Sequence, residues 1–297
     1  MARTEPVWTS SDWACEQALE QAVGYVAGVR GAHGTAARLR SAASRTGARA
    51  VWSLLTGLPV VEAPLSTTPT GEELRSWFRP DRRLPFDRVP VALLRLPGTH
   101  AEYLRGRPRQ ALRTNVNRAK EAGLSCAVVA EGAELQRCVE HVAQLRGQDP
   151  ASVLRSDSRP GLRRRFVAVH DRAGDPVGIS ESLVDEDWGG LGALVIALGH
   201  ADNQVARYLL HSETVAGLIA DGVRSLTVGG SMLLTTTGTR YFQRRTGFQP
   251  VWLRPVVRPV ARPVVRPVVR PAVPTGAPAA VPAPRSAVEA DRVSVQA

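Results

Sequence analysis

Proton transfer near neutral pH needs side chains that titrate there or can be tuned to do so. Glu181 and His200 are the candidates for a base, and Tyr241, with Tyr208 and His211, could act as an acid or touch a substrate. Glu181 falls in the middle of three expected strands and His200 at the end of the next, so an acid and an imidazole occur on adjacent strands. A second group suits anions. Arg109, Arg113 and Lys120 run along one side of an expected helix, away from Leu112, Val116 and Ala119, and such a row could meet phosphates. The amides of Asn203, Gln204 and Val205 open a long helix, where unpaired N–H groups favour an anion, with Asp202 beside them opposing one. Each residue also has an ordinary reading: a strand glutamate facing water, a turn histidine, a helix histidine in solvent, core-edge tyrosines and a solvated basic face. Ser180, Ser182 and Ser231 have no histidine–acid partnership, so a hydrolase triad is unsupported.

The elements that would position these groups can be read from periodicity and punctuation. Val91 to Leu96 is an apolar strand, followed by the basic helix from about Pro108 to Glu121, closed by Gly123. Leu124 to Ala130 is a strand and Glu134 to Arg146 a helix. Three strands follow, Phe166–His170, Val177–Val184 and Leu191–Leu198, joined by turn-forming links at 171–176 and 185–190. A helix at Asn203–Ala220 has Asp202 as its expected N-cap and Gly222 past its end. Val223–Val228 is a strand, Thr239–Arg245 a short helix, and a last strand starts at Phe248. Three meandering strands and a helical crossover give a mixed sheet, which opens a cleft where the pairing changes hand. The strands at 191–198 and 223–228 are expected to pair in parallel, with Glu181 and His200 near the cleft mouth and Tyr241 near its floor.

Several stretches then resemble a known family. Val91-Ala92-Leu93-Leu94-Arg95-Leu96 precedes Tyr103-Leu104 and the helix Arg109 to Leu124, which contains Arg118-Ala119-Lys120-Glu121-Ala122-Gly123. Further on come Ala206-Arg207-Tyr208-Leu209-Leu210-His211, the pair Gly229-Gly230 before Ser231, and Gly238-Thr239-Arg240-Tyr241-Phe242-Gln243-Arg244-Arg245-Thr246-Gly247-Phe248. Their order resembles the GNAT acyltransferase core, and in particular its Fem-like peptidyltransferase branch. The resemblance implies an N-acyltransferase moving an acyl or aminoacyl group from acyl-CoA or aminoacyl-tRNA to an amine acceptor, a small molecule or peptide, with tRNA as a partner and no metal. One departure stands out. Acetyl-CoA-dependent members place a glycine-rich phosphate loop before the long helix, and here that place reads Gly199-His200-Ala201-Asp202. A rival reading follows from it: a non-catalytic descendant of the fold that binds RNA or a protein.

The expected fold is α/β (α+β): a mixed, splayed sheet flanked by helices. Residues 1–89 form a mostly helical partner lobe, 90–253 the acyltransferase-like domain and 254–297 a disordered tail. In the lobe, helical spacing covers Trp13–Val29, a basic helix Thr35–Arg45, a strand Arg49–Leu54, a loop Pro59–Thr70 and a helical piece Gly71–Phe78. The tail repeats Arg-Pro-Val-Val units, whose prolines remove amide donors and exclude helix and central strand. Net charge is +11, and Lys120 is the only lysine. Seven arginines and two acids from Arg254 onward place +5 of it in the tail, so charge alone does not make a nucleic-acid binder. Cys15, Cys126 and Cys138 are scattered and odd in number, which points to idle thiols in a reducing compartment. With no apolar run of membrane-spanning length and no basic-then-apolar start, a cytoplasmic protein is expected.

Overall fold

Strand pairing joins the two ends of the described chain. A computed structural model describes residues 44–78, 89–154, 159–229 and 235–258, with Met232 and a few positions between 20 and 28. In chain order the strands are β1 Val60–Leu65, β2 Val89–Arg95, β3 Ser125–Val129, β4 Arg164–His170, β5 Pro176–Asp185, β6 Trp188–Ile196, β7 Ser225–Val228 and β8 Gln249–Val257. They form one eight-stranded sheet in the order β1-β8-β2-β7-β6-β5-β4-β3. The pairs β1/β8 and β6/β7 are parallel and the rest antiparallel. The helices are α1 Arg45–Gly57, α2 Pro69–Trp77, α3 His100–Tyr103, α4 Gln110–Glu121, α5 Ala133–Arg146, α6 Asn203–Ala220 and α7 Thr237–Thr246. This is an open mixed α/β sheet flanked by helices, with the expected order of elements from β3 onward.

The two faces of the sheet are covered by different helices. On one, Leu112, Val116 and Ala119 of α4 and Leu209, Leu210 and Leu218 of α6 pack with Leu94, Val167 and Leu226 from the strands. On the other, Leu74 and Trp77 of α2 meet Val91, Leu183 and Leu253, while Val139 and Val142 of α5 meet Phe166, Ala168 and Ile179. Alternation along each strand sorts its residues to these faces. The two hairpins are fixed by their turns: Asp171 accepts from the amides of Ala173 and Asp175, and Glu186 takes the left-handed conformation at φ 52°.

The segment before β2 departs from expectation. The expected strand at 49–54 lies inside α1, and the expected loop at 59–70 contains β1. Single-strand periodicity cannot reveal β1, because its partner β8 lies about 190 residues on in the chain. Thr68 caps α2 by accepting from the amide of Gly71, so α2 starts at Pro69. Ser66 and Thr68 are also tied to the carboxylate of Asp185, which accepts the Ser66 amide at 2.7 Å, the Ser66 hydroxyl, and the Thr68 hydroxyl at 3.2 Å. This clamp joins the end of β1 to the β5–β6 hairpin.

At the other end, β8 continues through Val257, past the expected tail boundary at Arg254. Pro255 is accommodated because the described pairing with β2 ends opposite Leu253, so among the described residues β1 is the strand beside it. β6 begins three residues earlier than expected, at Trp188, and ends at Ile196. Gly123, Gly222 and Gly247 take positive φ at their helix ends as expected, and Phe248 donates back to Gln243 at 2.9 Å. Asp202 stands at the N-cap of α6 but its side chain makes no cap bond. The expected Thr35–Arg45 helix, most of the Trp13–Val29 helix, Gly230, Ser231 and the tail from 259 onward lie outside the described residues.

Candidate functional site

β6 and β7 are a parallel pair joined through α6, and they do not stay together. Pairing runs from Trp188↔Ser225 to Leu191↔Val228, and one further bond joins the Gly229 amide to the Leu191 carbonyl at 3.3 Å. β6 continues to Ile196, still paired with β5 on its other side. Its residues 192–196 therefore border a gap with no strand across it among the described residues. The hydroxyls of Thr227, opposite Gly190, and Ser182, opposite Leu191, flank the apex of the gap. Both are fully buried and have no hydrogen-bond partner among the described residues.

Glu181 sits one strand away from this gap. Its partner across β6 is Ala193, two residues past the last β6/β7 pair. It is fully buried, and its neighbours Phe166 and Ile179 pack under α5, so it lies on the face opposite α4 and α6. On that face, α2 presses close to the apex, because a Cβ at Gly190 would collide with Leu74 and Trp77. The reading of Glu181 as a strand glutamate facing water does not hold.

His200 lies at the far end of β6. Its Nδ1 accepts the Asp202 amide at 3.2 Å, and its Nε2 is 3.9 Å from Asp171 in the β4–β5 turn. Glu181 lies roughly 17 Å along β5 from its start at Pro176, which follows the Asp171 turn. The α6 N-terminus is partly occupied by its own loop. The Asn203 amide donates to His200 at 3.1 Å and its side chain to Leu198 at 2.6 Å. Helix geometry leaves the amides of Gln204 and Val205 without intrahelical acceptors.

The tyrosine and histidine candidates separate sharply. Tyr241 is 46% exposed and its ring lies beneath Arg245 at 4.4 Å, so it lines no cleft floor. Tyr208 is nearly buried against Phe242, and burial raises its hydroxyl pKa. His211 is completely buried, contrary to a solvent-facing helix position, with its ring against Phe242 and Phe248. Its Nε2 is 3.0 Å from the Tyr103 hydroxyl, which is also 2.8 Å from the Thr246 carbonyl. That carbonyl can only accept, so Tyr103 donates to it and His211 donates Nε2–H to Tyr103. Burial first, then Arg109 and Arg207, bring the His211 pKa down to about 3 and hold the ring neutral. Among the described residues no cluster of three metal-ligating side chains occurs.

The basic helix does not act as a uniform row. Arg113 is turned into structure: its Nη1 donates to the Leu104 carbonyl and to the Gly106 carbonyl at 2.7 Å, holding the turn before α4. Arg109 lies over the Tyr103 ring at 5.3 Å and against Gly247. It borders an open cavity of about 720 Å³ between α4 and α7, together with Arg107, Arg118, Arg244 and Arg245. Sequence reading missed these last four. The Arg107-Pro108-Arg109 run and the Arg244-Arg245 doublet were the available signal, but only the packing of α7 beside α4 brings them together. Glu181, His200 and Arg113 are thus not gathered in one place.

No family model matches the chain, and no curated protein does. Among solved structures it is similar to L-PGS from Bacillus licheniformis, at 12% identity and TM-score 0.39, over 55% of this chain and 57% of that one. It is similar to a GCN5-related N-acetyltransferase from Kribbella flavida, at 14% identity and TM-score 0.34, over 56% and 55%. A tandem GNAT protein from the clavulanic acid biosynthesis pathway, without AcCoA, is similar at 13% identity and TM-score 0.35, over 71% and 68%. The chain spans a little over half the length of the first two.

Proposed function

We propose that this chain transfers an acyl or aminoacyl group to an amine, with the reacting carbonyl held where β6 and β7 part. The observation that carries the reading is the gap itself. An extended donor arm laid along residues 192–195 can hydrogen-bond to strand backbone that has no described strand on that side, up to Ile196, whose carbonyl is held by Arg146 at 2.5 Å. Its carbonyl then reaches the apex, where the buried hydroxyl of Thr227, on the same face as Glu181, can donate to a developing oxyanion. Donor phosphates lie outside the strand ends, beside the amides of Gln204 and Val205. Glu181 takes a proton from the acceptor ammonium. The free amine forms the new C–N bond as the C–S bond of an acyl-CoA, or the C–O bond of an aminoacyl-tRNA, breaks. The second amine proton ends on the leaving sulfur or oxygen.

His200 acts at the donor end in this reading, at the mouth of the gap, and Tyr241 has no part in the chemistry. The acceptor is a small-molecule or peptide amine and the site of action the cytoplasm. Among the described residues no helix is long and apolar enough to cross a membrane. A second reading, a binding module without turnover, is favoured by two observations: the glycine-poor loop before α6, and the packing of Leu74 and Trp77 against Gly190. Native mass spectrometry of the purified chain for copurified acyl-CoA or tRNA, followed by turnover with the donor found, decides between them. Glu181→Gln is expected to lower turnover by about 100-fold or more with donor affinity unchanged. Equal turnover by that variant would refute the role of Glu181, and a folded chain that binds neither donor would refute acyl transfer.

A further inference from the structure

The cavity between α4 and α7 differs in kind from the gap at β6 and β7. Five guanidinium groups surround it: Arg107, Arg109 and Arg118 from the α4 side, Arg244 and Arg245 from α7. No carboxylate lines it, and Pro108 and Ala111 are its apolar residues beside the arginine stems. Small-molecule pockets are mostly apolar and enclose their ligand, whereas this one is open and cationic, with no slot to bury a base. Arg109 and Arg118 are about 13 Å apart along the helix axis, far enough to meet different phosphates of one strand. Arg244 and Arg245 form the facing wall, so anionic groups passing through meet cations on both sides. Gln110 and Thr114, between the α4 arginines, offer hydrogen bonds of the kind that ribose hydroxyls use. One turn before Arg244 and Arg245, on the same face of α7, Tyr241 is 46% exposed. Its ring, with Arg245 at 4.4 Å and Arg244 at 5.7 Å, leaves that exposed area for a base to stack beside the two guanidinium groups.

We infer that this groove binds the phosphodiester backbone of a short single-stranded RNA segment, read by charge and stacking rather than by base sequence. Arg113 is excluded from the contact, because it is spent on the Leu104 and Gly106 carbonyls. The site lies on α4 and α7 and needs no acyl transfer, so it stands or falls apart from the function proposed above. The test uses the full chain and a fluorescent mixed-sequence 12-nucleotide RNA, read by anisotropy across a salt series. The comparison protein carries Arg107→Gln, Arg118→Gln, Arg244→Gln and Arg245→Gln together, with its fold checked by circular dichroism and thermal midpoint. Arginines beyond Arg258 are present in both proteins, so only the difference between them reports on the groove.

Losing four phosphate contacts is expected to flatten the slope of log affinity against log salt by about 3. The wild-type advantage should then shrink roughly 50-fold between 50 and 200 mM salt. If the four-site variant unfolds, the pairs Arg107→Gln/Arg118→Gln and Arg244→Gln/Arg245→Gln, each flattening the slope by about 1.4, take its place. A folded variant with unchanged affinity and slope overturns the inference. Displacement of the RNA by micromolar coenzyme A makes the groove a small-nucleotide site and overturns it too. Equal binding of poly-glutamate, lost in the same variant, assigns the groove to an acidic protein and has the same effect.

Discussion

His211 makes the stability of the fold depend on acid in a way that can be measured. Its pKa is about 3 in the folded chain, chiefly because the ring is fully buried, against 6.5 when exposed. Above pH 6.5 both states are neutral at this site, and its contribution to stability is fully present. Below 6.5 the unfolded chain takes up a proton that the folded chain refuses, so unfolding gains about 1.4 kcal/mol per pH unit. The loss accumulates to about 2 kcal/mol at pH 5 and about 4 kcal/mol near pH 3, a large share of a total that is about 5–15 kcal/mol for folded proteins. His211→Gln removes the titration and keeps a donor for the Tyr103 hydroxyl. Urea unfolding of both proteins at pH 7.5, 6 and 5 isolates the effect from the other histidines. The wild type should start more stable and lose its lead by about 2 kcal/mol at pH 5. A lead constant to within about 0.5 kcal/mol over that range, well short of the shift linkage demands, would refute the buried neutral ring.

Asp185→Ala should destabilise the chain by about 2 kcal/mol or more in the same denaturation assay, since it orphans the buried Ser66 amide and leaves the Ser66 and Thr68 hydroxyls, 2.6 Å apart, only each other in place of the carboxylate. A loss below about 1 kcal/mol would mean the clamp is not formed in solution. Gly247→Ala puts a side chain at φ 90° and against the Arg109 guanidinium. It should cost about 1–2 kcal/mol, seen as a thermal midpoint lowered by roughly 3–6 °C, and an unchanged midpoint would remove Arg109 from that position.

The second half of the fold was legible because its signals are local. The helix at Asn203–Ala220 repeats its apolar residues over five turns and ends at a glycine, and the structure reproduces those limits. The hairpins around Asp171 and Glu186 announce themselves by turn residues, and the parallel β6/β7 pair follows from the crossover between them. β1 was not legible, because a six-residue strand paired with one partner at the sheet edge carries no pattern of its own. The first Arg-Pro-Val-Val unit looked like tail for a related reason: whether a proline can sit in a strand depends on which side has a neighbour. Site residues fared by the same logic. The strand position of Glu181 was readable, whereas His200 falls in the turn beyond β6, four residues past its end, and neither the bulk that buries Glu181 nor the Asp171 turn that engages His200 could be read. Arg113 looked like a phosphate ligand by its helical spacing, and only the path of residues 104–106 shows where its charge goes.

The place of β8 has a consequence for how the protein is made. β1 and β2 never touch as strands; each pairs with β8, which sits between them. A ribosome emits β1 and β2 long before residues 249–257 exist, at about 5–20 residues per second. For roughly ten seconds or more β1 waits with both edges unpaired, and β2 does the same until β7 emerges at residues 225–228. The meander β4–β5–β6, whose strands are neighbours in sequence, can pair as soon as it emerges. Closure of the sheet is therefore a late event that the final strand triggers, and a nascent chain stalled before Gln249 should hold a structured meander beside an N-terminal segment that proteases still cut.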